Sequence, residues 1–296
     1  MKTKFRFFGV TILGILLLGN LALSSCERDK DDEDNGKVDP GTIATANLVA
    51  YFPFDGNATE QISSINPNLM PNVTYVAGRR GQAYQGANMA HLLYDIPAAS
   101  PLRTLTSFSV AVWLRSPLVT GDPESIFFQI GKSDDLFWGN LTLGLQRLNA
   151  TADSLQFKGF FLKAGVPWAG QHLSFSSDEF PINIWMHLVF LYEASTSKFL
   201  IYKDGVKVQT NDGVENRWAA DANTTPRPPL GTLLFQNVDK INIGAWRPKT
   251  EGIPPATDVW MGWYLGNIDE LRVYNKALTA AEVLSLYQAE VSQLNP

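Results

Sequence analysis

The 296-residue chain carries one cysteine, Cys26, and only three histidines. A lone thiol cannot form an intramolecular disulfide, so the fold must be held by its core and hydrogen bonds. His91, His172 and His187 are far apart and make no metal-binding spacing. His187 lies in an apolar run and reads as a packed ring. Basic charge is also scarce: 24 Lys and Arg stand against 29 Asp and Glu, a net charge of -5. With no basic stripe to meet a phosphate backbone, nucleic acid is excluded as a partner. No Gly-x-Ser-x-Gly elbow is present. No Gly/Ser/Pro-rich linker divides the chain after the tether, and no unit of 20–50 residues repeats.

What is present begins at the N-terminus. Lys2, Lys4 and Arg6 precede an apolar run from Phe7 to Leu23, which ends in Leu23-Ser24-Ser25-Cys26. This is the three-part layout of a secretory signal. The run is short for a transmembrane span, contains Asn20, and meets charge at once. Its last four residues resemble the lipobox of bacterial lipoproteins. That resemblance implies a signal peptide over residues 1–25 and a lipidated Cys26; an ordinary cleaved signal with an incidental cysteine is the plainer alternative. Glu27 to Gly36 then holds six acids, two bases and no apolar side chain, so it stays solvated as a tether. An acidic run in this position is similar to the export signal of surface-exposed lipoproteins in glycan-foraging Gram-negative bacteria. It implies attachment to the outer membrane, facing the cell exterior, with a periplasm-facing domain as the alternative. The tether extends over residues 26–45, leaving residues 46–296 as one domain.

The domain's apolar residues alternate. Phe108 to Leu114, Leu141 to Leu145, Leu155 to Phe160 and His172 to Phe175 have the period of half-buried strands. Trp185 to Tyr192 is denser and suits a central strand. Asp204-Gly205 separates Lys198–Tyr202 from Val206–Val208 and signals a hairpin, since its turn requires positive φ. Ile241 to Ile243 and Leu265 to Tyr274 complete the series. One helix is evident: Thr279-Ala280-Ala281-Glu282 forms a capping box, followed by Val283, Leu286, Tyr287 and Glu290 at helical spacing. The expected fold is an all-β, two-sheet antiparallel jelly-roll sandwich with one short C-terminal helix.

Several segments carry a family resemblance. They are Leu48 to Asn57 with its Asp-Gly-Asn turn, Gly81 to Tyr84, Phe108 to Trp113, Trp185 to Val189 leading to Ile201–Gly205, and Gly266 to Leu278. In this order the chain is similar to LamG-like members of the concanavalin A-like lectin/glucanase superfamily. Residues 131–180 and 211–263 fit it least and carry extra material. The superfamily includes sugar-binding modules, glucanases and adhesion domains, so the fold does not by itself choose a function.

Its laminarinase-type glucanases place acids as Glu-x-Asp-x-x-Glu, because alternate strand positions share one cleft. No such run occurs here. Asp269-Glu270 are adjacent, which a regular strand throws to opposite faces; Asp134-Asp135 and Asp178-Glu179 sit in loop-like contexts. The chain is therefore expected not to be an enzyme. The resemblance also implies a structural calcium ion near Asp55, Asn57 and Asp269, with Glu60 where the family has a later aspartate. Turn aspartates tied to backbone amides are the alternative.

Eight tryptophans supply the remaining signal. Trp113 and Trp185 match core positions, and one of Trp260 and Trp263 is expected to pack. Trp138, Trp168, Trp218 and Trp246 lie in insertion-rich stretches, with Arg217 and Arg247 beside two of them. Residues 211–232 form a long loop of the functional kind. Aromatic faces in loops stack on sugar rings, and they also anchor protein interfaces. The expected function is non-catalytic binding of a polysaccharide or oligosaccharide for a glycan uptake system. A protein-binding adhesion or assembly module and a glycoside hydrolase with an unrecognised site are the alternatives.

Overall fold

The alternating segments fold as strands. The computed structural model describes residues 38–119, 121, 123–147, 154–165, 170–254 and 257–293. The signal-like segment, Cys26, the acidic run and Trp168 lie outside the described residues. The strands are β1 (Leu48–Phe52), β2 (Thr74–Ala77), β3 (Gln82–Gln85), β4 (Leu92–Asp95), β5 (Phe108–Arg115), β6 (Glu124–Lys132), β7 (Leu141–Arg147), β8 (Ser154–Leu162), β9 (Gly170–Pro181), β10 (Met186–Glu193), β11 (Lys198–Lys203), β12 (Val206–Lys207), β13 (Val238–Ile243), β14 (Met261–Gly262) and β15 (Asn267–Tyr274).

They form two sheets. The first runs β12-β11-β10-β5-β15-β3-β2, with β1 also on β15; the second runs β4-β13-β6-β7-β8-β9, with the short β14 parallel to one end of β6. The other pairings are antiparallel. The core lies between the sheets. Phe108, Val110, Val112 and Leu114 of β5 enter it from the first sheet, and Leu141, Leu143 and Leu145 of β7 enter from the second. Phe157 of β8 stacks on Phe190 of β10, ring centroids 4.7 Å apart.

Strand β10 is apolar on both faces because both are covered. Leu188 and Phe190 face the core, while Val189 and Leu191 pack beneath the C-terminal helix α3 (Ala280–Val291) with Val283 and Leu286. The capping box forms as expected. Thr279 Oγ1 accepts from Glu282 N, and Thr279 N donates to Glu282 Oε2 at 2.8 Å. The Asp204-Gly205 turn also forms, with φ of 50° and 81°. Two further short helices precede α3: α1 (Asp212–Glu215) and α2 (Arg247–Glu251). Trp185 departs from expectation. It sits just before β10, half-buried, with the Arg115 guanidinium 5.4 Å from its ring centroid.

One irregularity alters the acids of β15. Register slips between Asp269 and Arg272, and Glu270 adopts φ 53°. This is a bulge, which gives two consecutive residues to one side. Ile268 and Leu271 both face the core, so Asp269 and Glu270 both point away from it. The expectation that a strand would throw them to opposite faces is corrected. Arg272 and Arg80 pair with Glu270, and Glu290 of α3 pairs with Arg272, so this outer face is a buried ionic network under the helix.

Candidate ligand-binding site

The expected metal residues gather around one turn. Asp269 Oδ2 accepts from the amides of Arg79 (2.7 Å) and Arg80 (3.0 Å), whereas its buried Oδ1 has no hydrogen-bond partner. Asp55 Oδ1 accepts from Gln82 N at 2.7 Å in the same turn. The chain can approach this closely because of glycine: a Cβ on Gly81 would collide with Asp55, and one on Gly78 with Asp269. Burial, with Glu270 and Asp55 nearby, pushes the Asp269 carboxyl up to about 8. Asn57 is occupied locally, accepting from Thr59 N at 2.9 Å. Glu60 is buried and caps its own turn, accepting from the amides of Tyr51, Ile62 and Ser63, so it does not replace the family's later aspartate. Among the described residues, no group of three or more His, Cys, Asp or Glu is placed to hold a metal.

The outer face of the second sheet carries an aromatic cluster. Trp246 is 0 % exposed; Phe137 stacks on it at 5.0 Å, and Trp138 and Trp260 meet it edge-on. Its Nε1 donates to Glu124 O at 3.2 Å. Arg247 is also buried, with a two-pronged pair to Asp239 at 2.8 Å and a second ion pair to Glu251. Trp246 and Arg247, expected as ligand contacts, are packing residues: the short helix they begin folds down over β6 and β13. Nearby Glu124 is half-buried, and burial raises its pKa against the pull of Lys158.

Trp218 and Arg217 have a different setting. They line a cavity of about 320 Å³, together with Arg227, Asp221, Gln171 and His172. Residues 217–219 pair antiparallel with the returning segment 228–230 through an isolated bridge, with Trp218 opposite Pro229. Gln171 Nε2 donates to Trp218 O at 3.0 Å and ties this ribbon to β9. The Arg227 guanidinium lies 5.3 Å from the Trp218 ring centroid and is pinned by its bonds to Ala220 O. Trp218 itself is half-buried.

His172 connects the cavity to the aromatic cluster. Alternation along β9 turns it away from the core, opposite Phe160 of β8. Its ring meets Trp138 edge-on at 4.7 Å and lies 4.8 Å from Phe160. The ring is exposed on its free side, and desolvation against the neighbouring side chains lowers its pKa, favouring the neutral imidazole. Half-buried Trp138 therefore borders the cavity region through His172. Arg227, Gln171 and His172 were not expected as site residues. The period-two pattern of β9 could have marked His172 as outward-facing; nothing local marks the other two.

A larger hollow of about 420 Å³ lies by Glu179, Lys203 and Asp204, but no aromatic ring lines it. The cavity at Trp218 combines an indole, two guanidiniums, an amide and an imidazole. That set supplies a stacking surface and hydrogen-bond donors converging on one space.

The fold is that of the concanavalin A-like jelly rolls. The sequence model of Laminin_G_3, in the Concanavalin A-like lectin/glucanases superfamily, matches residues 94–231. No curated protein matches the chain. Among solved structures, the chain resembles the binding domain of botulinum neurotoxin DC in complex with SialylT (12 % identity, TM-score 0.55, covering 84 % of this chain and 52 % of that one). It also resembles that domain in complex with rat synaptotagmin II (11 %, TM-score 0.53, 83 % and 52 %). A third likeness is to the binding domain of Paraclostridial Mosquitocidal Protein 1 (14 %, TM-score 0.52, 82 % and 52 %). The chain spans about half the length of these three structures.

Proposed function

We propose that this chain binds carbohydrate without transforming it, as a lipoprotein anchored through Cys26 to the outer membrane and facing the cell exterior. Its task is to hold polysaccharide for a glycan uptake system. The observation that carries this reading is the cavity at Trp218, where an aromatic plate stands among polar side chains on an insertion of the jelly roll. Arg227 occupies one face of the indole, and the opposite face is the one a sugar ring stacks on. The resemblance to a neurotoxin binding domain whose structure was determined with SialylT supports an architecture that accommodates saccharides. A non-catalytic role is supported by the state of Asp269 and Glu270. The bulge puts them on one side, but they lie buried under α3 and engaged with backbone amides and arginines.

Calcium, in this reading, is structural. Asp269 Oδ1 and the Asp55 carboxylate would hold it, with backbone carbonyls completing a hard-oxygen shell. Binding of wild-type protein and Trp218→Ala to immobilised polysaccharides tests the function. Retention of the wild type and its loss in the variant supports it; equal retention of both removes Trp218 from the site.

A protein-binding role is the second reading. Its observation is the exposed tip Val259-Trp260, 92 % and 39 % accessible, next to the aromatic cluster. Unchanged glycan binding in Trp260→Ala would separate that tip from the cavity.

A further inference from the structure

The Trp218 cavity is lined by two guanidiniums and one carboxylate, so positive charge is in excess there. Arg217 is 6 % exposed, yet among the described residues neither it nor Arg227 forms an ion pair. Arg217 Nη2 donates to Gly213 O, while its buried Nε has no hydrogen-bond partner. Asp221 also lines the cavity; its Oδ1 accepts from Asn223 N (2.8 Å) and Thr224 Oγ1 (3.4 Å) in its own turn, and among the described residues it forms no ion pair with either arginine. Burial, reinforced by the neighbouring Arg227, lowers the Arg217 pKa to about 10, so it still carries its charge at neutral pH.

A buried guanidinium without a counter-charge is costly, and a second one beside it adds repulsion. The other buried arginines avoid this. Arg247 is paired with Asp239 and Glu251, and Arg272 with Glu270 and Glu290. Arg217 is the exception, and it faces a cavity. Guanidinium forks match carboxylate and sulfate oxygens and form strong charge-assisted bonds to them. The chain as a whole is acidic, at -5, so its overall field would not draw in a polyanion. Any such preference must reside in the local arginines.

We propose that the cavity selects glycans bearing an oxyanion, either a uronate carboxylate or a sulfate ester, held by Arg217 and Arg227 while a sugar ring of the same glycan lies on Trp218. This rests on the carbohydrate-binding reading and specifies its ligand class. It accounts for the missing ion pair of Arg217, for the pinning of Arg227 by Ala220 O, and for the pairing of aromatic and cationic groups in one space.

Two matched pairs of probes test it with the purified full chain: polygalacturonate against its fully methyl-esterified form, and dextran sulfate against dextran. The expected result is at least tenfold tighter binding of the anionic member of one pair, weakening as sodium chloride is raised. Which pair responds distinguishes carboxylate from sulfate. Arg227→Gln should erase the preference and Arg227→Lys should restore part of it, with thermal midpoints unchanged because Arg227 is only partly buried. Arg217→Gln should act likewise, read only if it unfolds cooperatively. Equal binding to charged and neutral members, or a preference that survives Arg227→Gln, overturns the proposal while leaving the carbohydrate reading intact. Binding to none of the four also overturns it, and a neutral glycan array then decides the parent reading separately.

Discussion

The Arg227 guanidinium sits 5.3 Å from the centre of the Trp218 indole, and the two residues stand on opposite arms of one surface loop. The Trp246 indole, by contrast, is enclosed by Phe137, Trp138 and Trp260. The same residue type therefore has two distinct roles. Trp246→Ala should cost about 3–5 kcal/mol of stability, the range for deleting a buried aromatic. Trp218→Ala should cost far less and instead abolish glycan retention. Thermal or urea unfolding of both variants, beside affinity electrophoresis, checks the contrast. A large stability loss in Trp218→Ala would mean that it too is core.

Calcium should stabilise the domain through Asp55 and Asp269. Adding a chelator is expected to lower the melting temperature of the purified protein, and excess calcium to restore it. Asp269→Asn should remove the calcium response. Calorimetric scans that coincide with and without chelator would eliminate the metal.

Stability should fall in acid through His187. This imidazole is 1 % exposed between β5 and α3, 5.3 Å from the Trp113 ring and 5.7 Å from the Tyr287 ring. Glu290 Oε2 lies 3.4 Å from its Nε2, but that carboxylate is already held by Arg272 and by Trp113 Nε1. Burial dominates, and with the Arg272 charge it lowers the His187 pKa to about 3. The unfolded state then binds the proton more readily than the native state over this range. The contribution is complete above an unfolded pKa near 6.5 and is lost as pH falls towards 3. His187→Phe should flatten this part of the stability profile. Parallel wild-type and variant profiles from pH 7 to 3.5 would contradict the assignment.

Removing the capping hydroxyl should be felt at α3. Thr279→Ala is expected to cost about 1 kcal/mol, a drop of roughly 2–4 °C in melting temperature for a domain of this size. Loss of α3 would also uncover Val189 and Leu191, so a cooperative shift is expected, without a separate helix transition. Two resolved transitions in a thermal scan would show that the helix melts independently.

Much of the fold was legible because its signals are local. Alternation in Phe108–Leu114 located β5, two positive-φ residues at Asp204-Gly205 located the hairpin, and the Thr279–Glu282 box located α3. The site was less legible because it is built by contacts distant in sequence. Trp246-Arg247-Pro248 has the composition of an exposed loop, and only its docking on β6 and β13 buries it. Glu270 takes positive φ without being glycine, so the bulge that turns two acids to one side leaves no composition cue. Trp218 and Arg217 were named from residue type and loop position. Arg227 joins them across the loop and His172 through the β8–β9 register, and neither relation can be read along the chain.

The most direct measurement is an oligosaccharide titration followed by the tryptophan indole N–H resonances, each assigned by a Trp→Phe variant. The account predicts progressive, saturable shifts for Trp218, smaller ones for Trp138, none for Trp113 in β5, and no release of reducing sugar over the experiment. Shifts confined to Trp260 and Trp263, or a Trp218 resonance that stays fixed while the ligand binds, would contradict it.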